Sequence, residues 1–331
     1  MISVSMKKLI SLLLFPFLLT SCGGTSSPSL SISYYANDVS GTAPTLLTGL
    51  YEGEKVDYVL SSYPVIASAL LSEDKKTDLS IVKDIRKEFG EKYHTEGFPQ
   101  AGLFIKASLE ENQEETEGIQ SFLSTFDQDI QQLISQPEVM TKTLSENYKT
   151  PVEQKNRYGF TAALLEKSQE NNGLGFLNNS GNPSLSEFKK FETPLSIQVK
   201  ESSFSTYYQK SFSSKPCSQL SYSVLTPLGA PSASFIRYGA DEKFETASPS
   251  QVSASFVKQD VDFIIFDAVN GMKLSEKNNN SYRLVRMVTF GNLYLLGTGN
   301  DEDQKLSEDD VILGFGENLI PDLAFKAVYQ L

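Results

Sequence analysis

The chain has 331 residues, 40% hydrophobic and 21% charged, with 29 basic against 41 acidic side chains and a net charge of -12. A body of this size buries one large core or two moderate ones, and its basic residues form no cluster, which argues against nucleic acid as a partner. A single histidine, His94, argues against histidine-rich metal sites and most histidine acid–base chemistry, and two cysteines, Cys22 and Cys217, make no disulfide framework.

At the start, Lys7 and Lys8 precede an apolar run from Leu9 to Leu19 that meets Leu19-Thr20-Ser21-Cys22. A basic segment, a short apolar run interrupted by Pro16 and a small-residue junction read as a secretory signal over 1–21, too short for a membrane span. The junction resembles the processing site of bacterial lipoproteins, with lipid on Cys22; the other reading is an ordinary cleaved signal that carries a cysteine. Residues 22–29, rich in Gly, Ser and Thr, fit a flexible tether, which places the body at the outer face of the cell membrane. No later apolar run approaches a membrane span.

From Leu30 the predicted order is a strand (LSISYYA), a turn (NDVSGTAP), a helix (TLLTGLYEG) and a second strand running through KVDYVLSSYPVIASAL. From Glu110 to Tyr148 the apolar residues Ile119, Phe122, Leu123, Phe126, Ile130, Leu133 and Ile134 recur at helical spacing, predicting an amphipathic hairpin broken near Pro137. More helix is expected over 152–195, then a Ser- and Tyr-rich connection over 196–216. The first plan then returns: LSYSVL as a strand, TPLGAPSASF as a turn opening a helix, a helix near PSQVSASFVKQD, and VDFIIFDAVNGMKL as strand into helix. Short apolar runs such as VDYVL, VDFIIF, NLYLLGT and DVILGFG suit strands covered on both faces, and strands alternating with helices predict an α/β fold built on parallel units.

Several stretches carry a family resemblance: Leu228-Gly229-Ala230-Pro231-Ser232 after a strand, Asp262 to Gly271, Gly291-Asn292-Leu293-Tyr294, Gly314 to Pro321, Val56 to Ala67 and Phe98 to Lys106. In order and context they resemble the two-lobed, type-2 solute-binding lipoproteins of ABC importers, of the nitrate, sulfonate and thiamine-pyrimidine class. The resemblance implies two lobes, each a sheet flanked by helices, closing on a ligand in the cleft between them. The family's order differs, starting near Ser218, so the chain resembles a circular permutant: 30–109 plus 310–331 as the second lobe, 110–195 helical, 196–216 a linker, 217–309 the first lobe. That reading expects Leu30 and Leu331 to lie near each other; the alternative is a two-lobed chain in ordinary order from Leu30.

In open α/β sheets ligands bind beyond the carboxyl ends of strands. The candidate contacts there are Leu228, Gly229, Ala230, Pro231 and Ser232, Asp267, Thr289, Phe290 and Asn292, with Asn37, Ser62, Tyr63, Gly316 and Asn318 on the other lobe. Each has a plainer reading: a strand-to-helix turn for 228–232, a helix N-cap for Asp267, core packing for Phe290. The acidic run DEDQKLSEDD from Asp301 lacks the glycine and spacing of a calcium loop, and EENQEETE near Glu111 reads as a helix start. No Gly-x-Ser-x-Gly elbow, P-loop or Rossmann fingerprint is present, and the family's pyrimidine-synthesising branch depends on histidine chemistry that one His hardly supplies, so the expectation is no enzyme, no cofactor and no metal. Two functions remain: a monomeric receptor handing a small solute to an ABC permease, or a surface lipoprotein, structural or adhesive, that keeps the fold without a ligand.

Overall fold

The computed structural model describes residues 32–35, 56–63, 65–70, 79–170, 183–207, 217–298, 305–307, 309–315 and 319–329. In chain order these form β1 (Ile32–Tyr35), β2 (Tyr58–Ser61), α1 (Val65–Leu70), β3 (Leu79–Asp84), α2 (Ile85–Tyr93), β4 (Pro99–Lys106), α3 (Ala107–Glu110), α4 (Thr116–Ser135), α5 (Pro137–Asn147), α6 (Pro151–Tyr158), α7 (Ala162–Glu170) and α8 (Leu185–Lys189). There follow β5 (Val224–Pro227), a 3-10 helix (Ala230–Tyr238), β6 (Phe244–Ala247), α9 (Pro249–Lys258), β7 (Phe263–Asp267), α10 (Ala268–Lys277), β8 (Tyr282–Phe290), β9 (Tyr294–Thr298), β10 (Ile312–Phe315) and α11 (Ile320–Tyr329). Cys22, Asn37, the expected helix over 45–53, Gly316 and Asn318 lie outside the described residues.

The chain is an α/β protein with two five-stranded sheets, ordered β1-β10-β2-β9-β3 and β6-β5-β7-β4-β8. In the first sheet β9 runs antiparallel to its neighbours β2 and β3, and in the second β4 runs antiparallel to β7 and β8. The remaining neighbours pair in parallel. Numbered cyclically from β5, both sheets have one order: second strand, first, third, a strand arriving from the other sheet, fourth. The parallel units of the sequence reading are therefore present, but each sheet is mixed, because the strand that crosses over enters from the opposite direction.

That crossing also corrects two boundaries. The sequence reading placed 99–106 with the first-sheet segments and 294–298 with the second-sheet segments; β4 belongs to the second sheet and β9 to the first. A strand's own residues report burial and alternation, whereas its sheet is decided by partners far away in sequence, so no local signal marked the exchange. A second correction concerns VDYVLSSYPVIASAL, where the strand stops at Ser61 and a helix begins at Val65. Pro64 has no N–H to offer a ladder, and the Ser62 carbonyl accepts from the Ile66 amide at 3.2 Å, the first turn of α1.

Local chemistry explains the remaining elements. α4 and α5 form the expected hairpin, parted at Pro137, with Phe122, Leu123, Phe126, Ile130 and Leu133 on the buried stripe of α4. Thr150, Ser184 and Ser248 each close a capping box, with Glu153, Glu187 and Gln251, on α6, α8 and α9. Both faces of the strands are covered. One core joins Ile66, Tyr294 and Leu296 of the first-sheet region to Leu103, Phe263 and Val285 of the second; the other joins Tyr58, Leu60 and Ile312 to Phe104, Ile264 and Leu284. Each core thus runs from one sheet into the other.

The ends of the described chain meet inside a sheet. β1 lies beside β10 in parallel, with Ile32 opposite Ile312 and Tyr35 opposite Phe315. Leu30 and Leu331 themselves fall outside the described residues.

Candidate functional site

The chain passes between the sheets twice, from β3 through α2 into β4 and from β8 directly into β9. Both passages lie at the carboxyl edges of the parallel strands. Gly291 makes the shorter one possible: its φ is +86°, and a Cβ there would stand 2.7 Å from Arg86 Cγ. Arg86 lies along this passage and donates its Nε–H to the Glu96 carbonyl at 2.9 Å.

Asn292 braces the junction. Its Oδ1 accepts from the Tyr63 amide at 2.9 Å and its Nδ2 donates to the Tyr63 carbonyl at 3.0 Å, so one amide holds both backbone groups of a residue 229 positions away. Gln100 brackets Asn292 in the same way, accepting from its amide at 2.8 Å and donating to its carbonyl at 3.2 Å. The Tyr63 bonds are buried and the Gln100 bonds partly so, and an orphaned buried backbone group costs about 1–3 kcal/mol, so the brace fixes how β2, β4 and β9 meet.

Asp267 ties the sheets together from the other side. One carboxylate oxygen caps α10, accepting from the Asn270 amide at 2.8 Å; the other accepts from the Ile320 amide at 3.1 Å, at the start of α11 on the first sheet. The residue is half-buried, but its carboxyl group is enclosed, and burial pushes it up to about 6 against the pull of those amides and of Lys273.

Asp84, at the end of β3, caps α2 by accepting from the Lys87 amide at 3.1 Å. Burial again raises its carboxyl above the ordinary value, against Arg86 and Lys87. Tyr294 stands opposite both Ser61 and Asp84 in the register of β9, and its ring meets that of Tyr63 edge-on at 5.1 Å. Tyr63 is 1% exposed and its hydroxyl has no hydrogen-bond partner among the described residues. Both phenols are pushed upward, first by burial and next by the Asp84 charge.

The other candidates from the sequence have structural duties. Gly229, with φ +109°, donates its amide to the Tyr158 carbonyl at 2.8 Å; the space where its Cβ would stand is open. Leu228 and Pro231 are half-buried and Ala230 is buried in the turn that opens the 3-10 helix. Ser232 is fully buried and spends its hydroxyl on the Gly229 and Tyr158 carbonyls at 2.8 and 3.0 Å. Thr289 accepts from the Ala101 amide at 3.0 Å, serving the irregular pairing of β4 with β8. Phe290 packs its ring on Phe191 at 5.8 Å, which is the core-packing reading. Ser62 is half-buried beside Tyr63.

So Ser62, Tyr63, Asp267, Thr289, Phe290 and Asn292 gather at the two carboxyl edges. Asp84, Gln100 and Arg86 join them without having been singled out in the sequence. For Asp84 a signal existed: LSIVKDIRKEF switches from strand to helix at an aspartate suited to an N-cap.

A groove of about 540 Å³ lies elsewhere, along α4, lined by Ser124, Asp127, Gln128, Gln131 and Arg237 among others. Its charges are spent: Arg286 holds Asp127 at 2.8 and 3.0 Å, and Arg237 holds Asp129 at 2.7 and 3.0 Å. Among the described residues no His/Cys/Asp/Glu cluster has metal-binding geometry, and no helix is long and apolar enough to cross a membrane. No family model, curated protein or solved structure matches the chain.

Proposed function

We propose that this chain is a lipid-anchored receptor of the type-2 solute-binding class, circularly permuted, that takes a small solute between two lobes and presents it to an ABC importer. The observation that supports the reading best is the repeated strand order. Two sheets with the same second-first-third-crossing-fourth arrangement, each lending one antiparallel strand to the other, give two carboxyl edges joined by two crossings. A solute touching both edges favours whichever arrangement lets it touch both at once, and that arrangement is what a permease would recognise. The pairing of β1 with β10 fits a permutation whose break falls between α11 and β1. The lipid on Cys22 rests on the sequence pattern alone.

The test is native mass spectrometry of the gently purified body, followed by a thermal-shift panel of the refolded protein against amines, pyrimidines, sulfonates, oxyanions and amino acids. A ligand at a hundred times its Kd adds roughly 2.7 kcal/mol, a rise of several degrees. A bound small molecule or a clear shift supports the receptor; silence in both assays overturns it. A companion variant, with residue 331 linked to residue 30 and new ends opened between Pro216 and Ser218, is expected to fold to the same sheets.

One observation favours the second reading, a surface lipoprotein without a solute. At the carboxyl edges Asn292, Ser232 and Asp267 bond to the protein itself, and the 540 Å³ groove lies away from them on α4.

A further inference from the structure

Each carboxyl edge has an aspartate at a strand end, with the cations Arg86 and Lys87 near the first and Lys273 near the second. Asp84 closes β3 on the first sheet and Asp267 closes β7 on the second, and no side-chain donor bonds either carboxylate among the described residues. Arg86, Lys87 and Lys273 act on them only from a distance. Helix N-termini are the ordinary anion sites of such a crevice. Here α2 is capped by Asp84, while α10 and α11 share Asp267, so these positive ends are already met by the protein's own anions. An arriving oxyanion would have to displace Asp267 and face Asp84.

Donors on a ligand find the opposite situation. Beside Asp84 stand Tyr294, its cross-strand neighbour, and Tyr63, whose buried hydroxyl lacks a partner among the described residues. The two rings meet edge-on at 5.1 Å, both buried in the same core. Asp267, on the second sheet's edge, is linked to this one through bonded neighbours: its strand partner is Ala101, next to Gln100, which holds Asn292, which holds Tyr63.

We infer that the solute is a protonated amine on a small apolar or aromatic body, its ammonium group held by Asp84 and the Tyr63 hydroxyl against Tyr294, with Asp267 turning anions away. The inference rests on the receptor reading and deepens it. An ammonium supplies the charge that a desolvated carboxylate lacks and the donor that Tyr63 can accept.

The experiment is calorimetric titration of the refolded protein with matched probes: tyramine, its neutral analogue 4-ethylphenol and its anionic analogue 4-hydroxyphenylacetate, and putrescine against succinate. The amines are expected to bind more tightly than their partners. Asp84→Asn is expected to cut amine affinity about tenfold or more while leaving 4-ethylphenol unchanged, the fold-change of one lost charged hydrogen bond. Tyr63→Phe keeps the ring and is expected to weaken the amine by less. Because the readout is the ratio of amine to neutral analogue, a mere folding defect leaves it unmoved. Preference for the anions or the neutral analogue, or an unchanged ratio in Asp84→Asn, overturns the inference and leaves the receptor standing. No binding of any probe, with no carried solute by native mass spectrometry, overturns both.

Discussion

The second sheet draws its strands from 99–106 and 224–290, whereas the first draws its own from 32–84 and 294–315 and so takes in both the first and the last strand of the described chain. The second also holds the longest strands, β4 and β8 with eight and nine residues, against at most six in the first. Yet both reach the same strand order. Pairing and burial set the figure, and chain connectivity is free to break wherever ends fall at exposed joins. The two halves also have no separate interiors, since each core passes from one sheet into the other.

The strongest challenge to that picture is Phe104→Ala in β4. Phe104 is fully buried, meets Phe256 edge-on at 5.4 Å, and sits so close to Gly271 that a Cβ there would stand 2.3 Å from its ring. A loss of about 3–5 kcal/mol is expected, in one urea transition seen alike by circular dichroism and tyrosine fluorescence. Two separated transitions, with the first sheet unaffected, would show that the sheets are independent after all.

Asn292→Ala sharpens the comparison at the junction. It strips both partners from the Tyr63 backbone while touching neither core, so a loss of about 1–3 kcal/mol is expected. Proteolysis at the 291–293 passage should quicken in the same variant, with the interior of the second sheet still protected from hydrogen exchange.

With the Asp267 carboxyl pushed up to about 6 from an ordinary 3.8, the folded chain holds a proton between those values that the unfolded chain has released. Stability from this group is therefore gained as pH falls from 7 through 6 toward 4, by roughly 1.4 kcal/mol for each pH unit between the two values at most. Melting temperature is expected to rise between pH 7 and 5 and to do so less in Asp267→Asn. Asp84 and Asp129, also raised by burial, act in the same direction.

Much of this was legible in the residues. VDFIIF, NLYLLGT and DVILGFG announced β7, β9 and β10 by short apolar runs, and the α4 stripe by its spacing. Asp267 was legible as a cap, and it caps two helices at once. What stayed hidden was decided at long range. The exchange of β4 and β9, the grip of Asn292 on a residue 229 positions back and the burial of the Tyr63 hydroxyl depend on partners that neither propensity nor periodicity encodes. β3 was passed over because LSIVKD is buried only at Leu79 and Val82 and lacks the continuous apolar run that marked the others.

The neighbourhood of β1 and β10 also sets a schedule for synthesis. A chain leaving the ribosome completes the second sheet once residue 290 has emerged, but the first must wait for β9 and β10, almost at the end. Until then β1, β2 and β3 are early-made strands without their central partners, with unpaired edges that invite association with other chains. A protein arranged in this way favours holding the nascent chain open until its last residues are available, as export in an unfolded state would do, and it makes the closing of the first sheet a slow, long-range step.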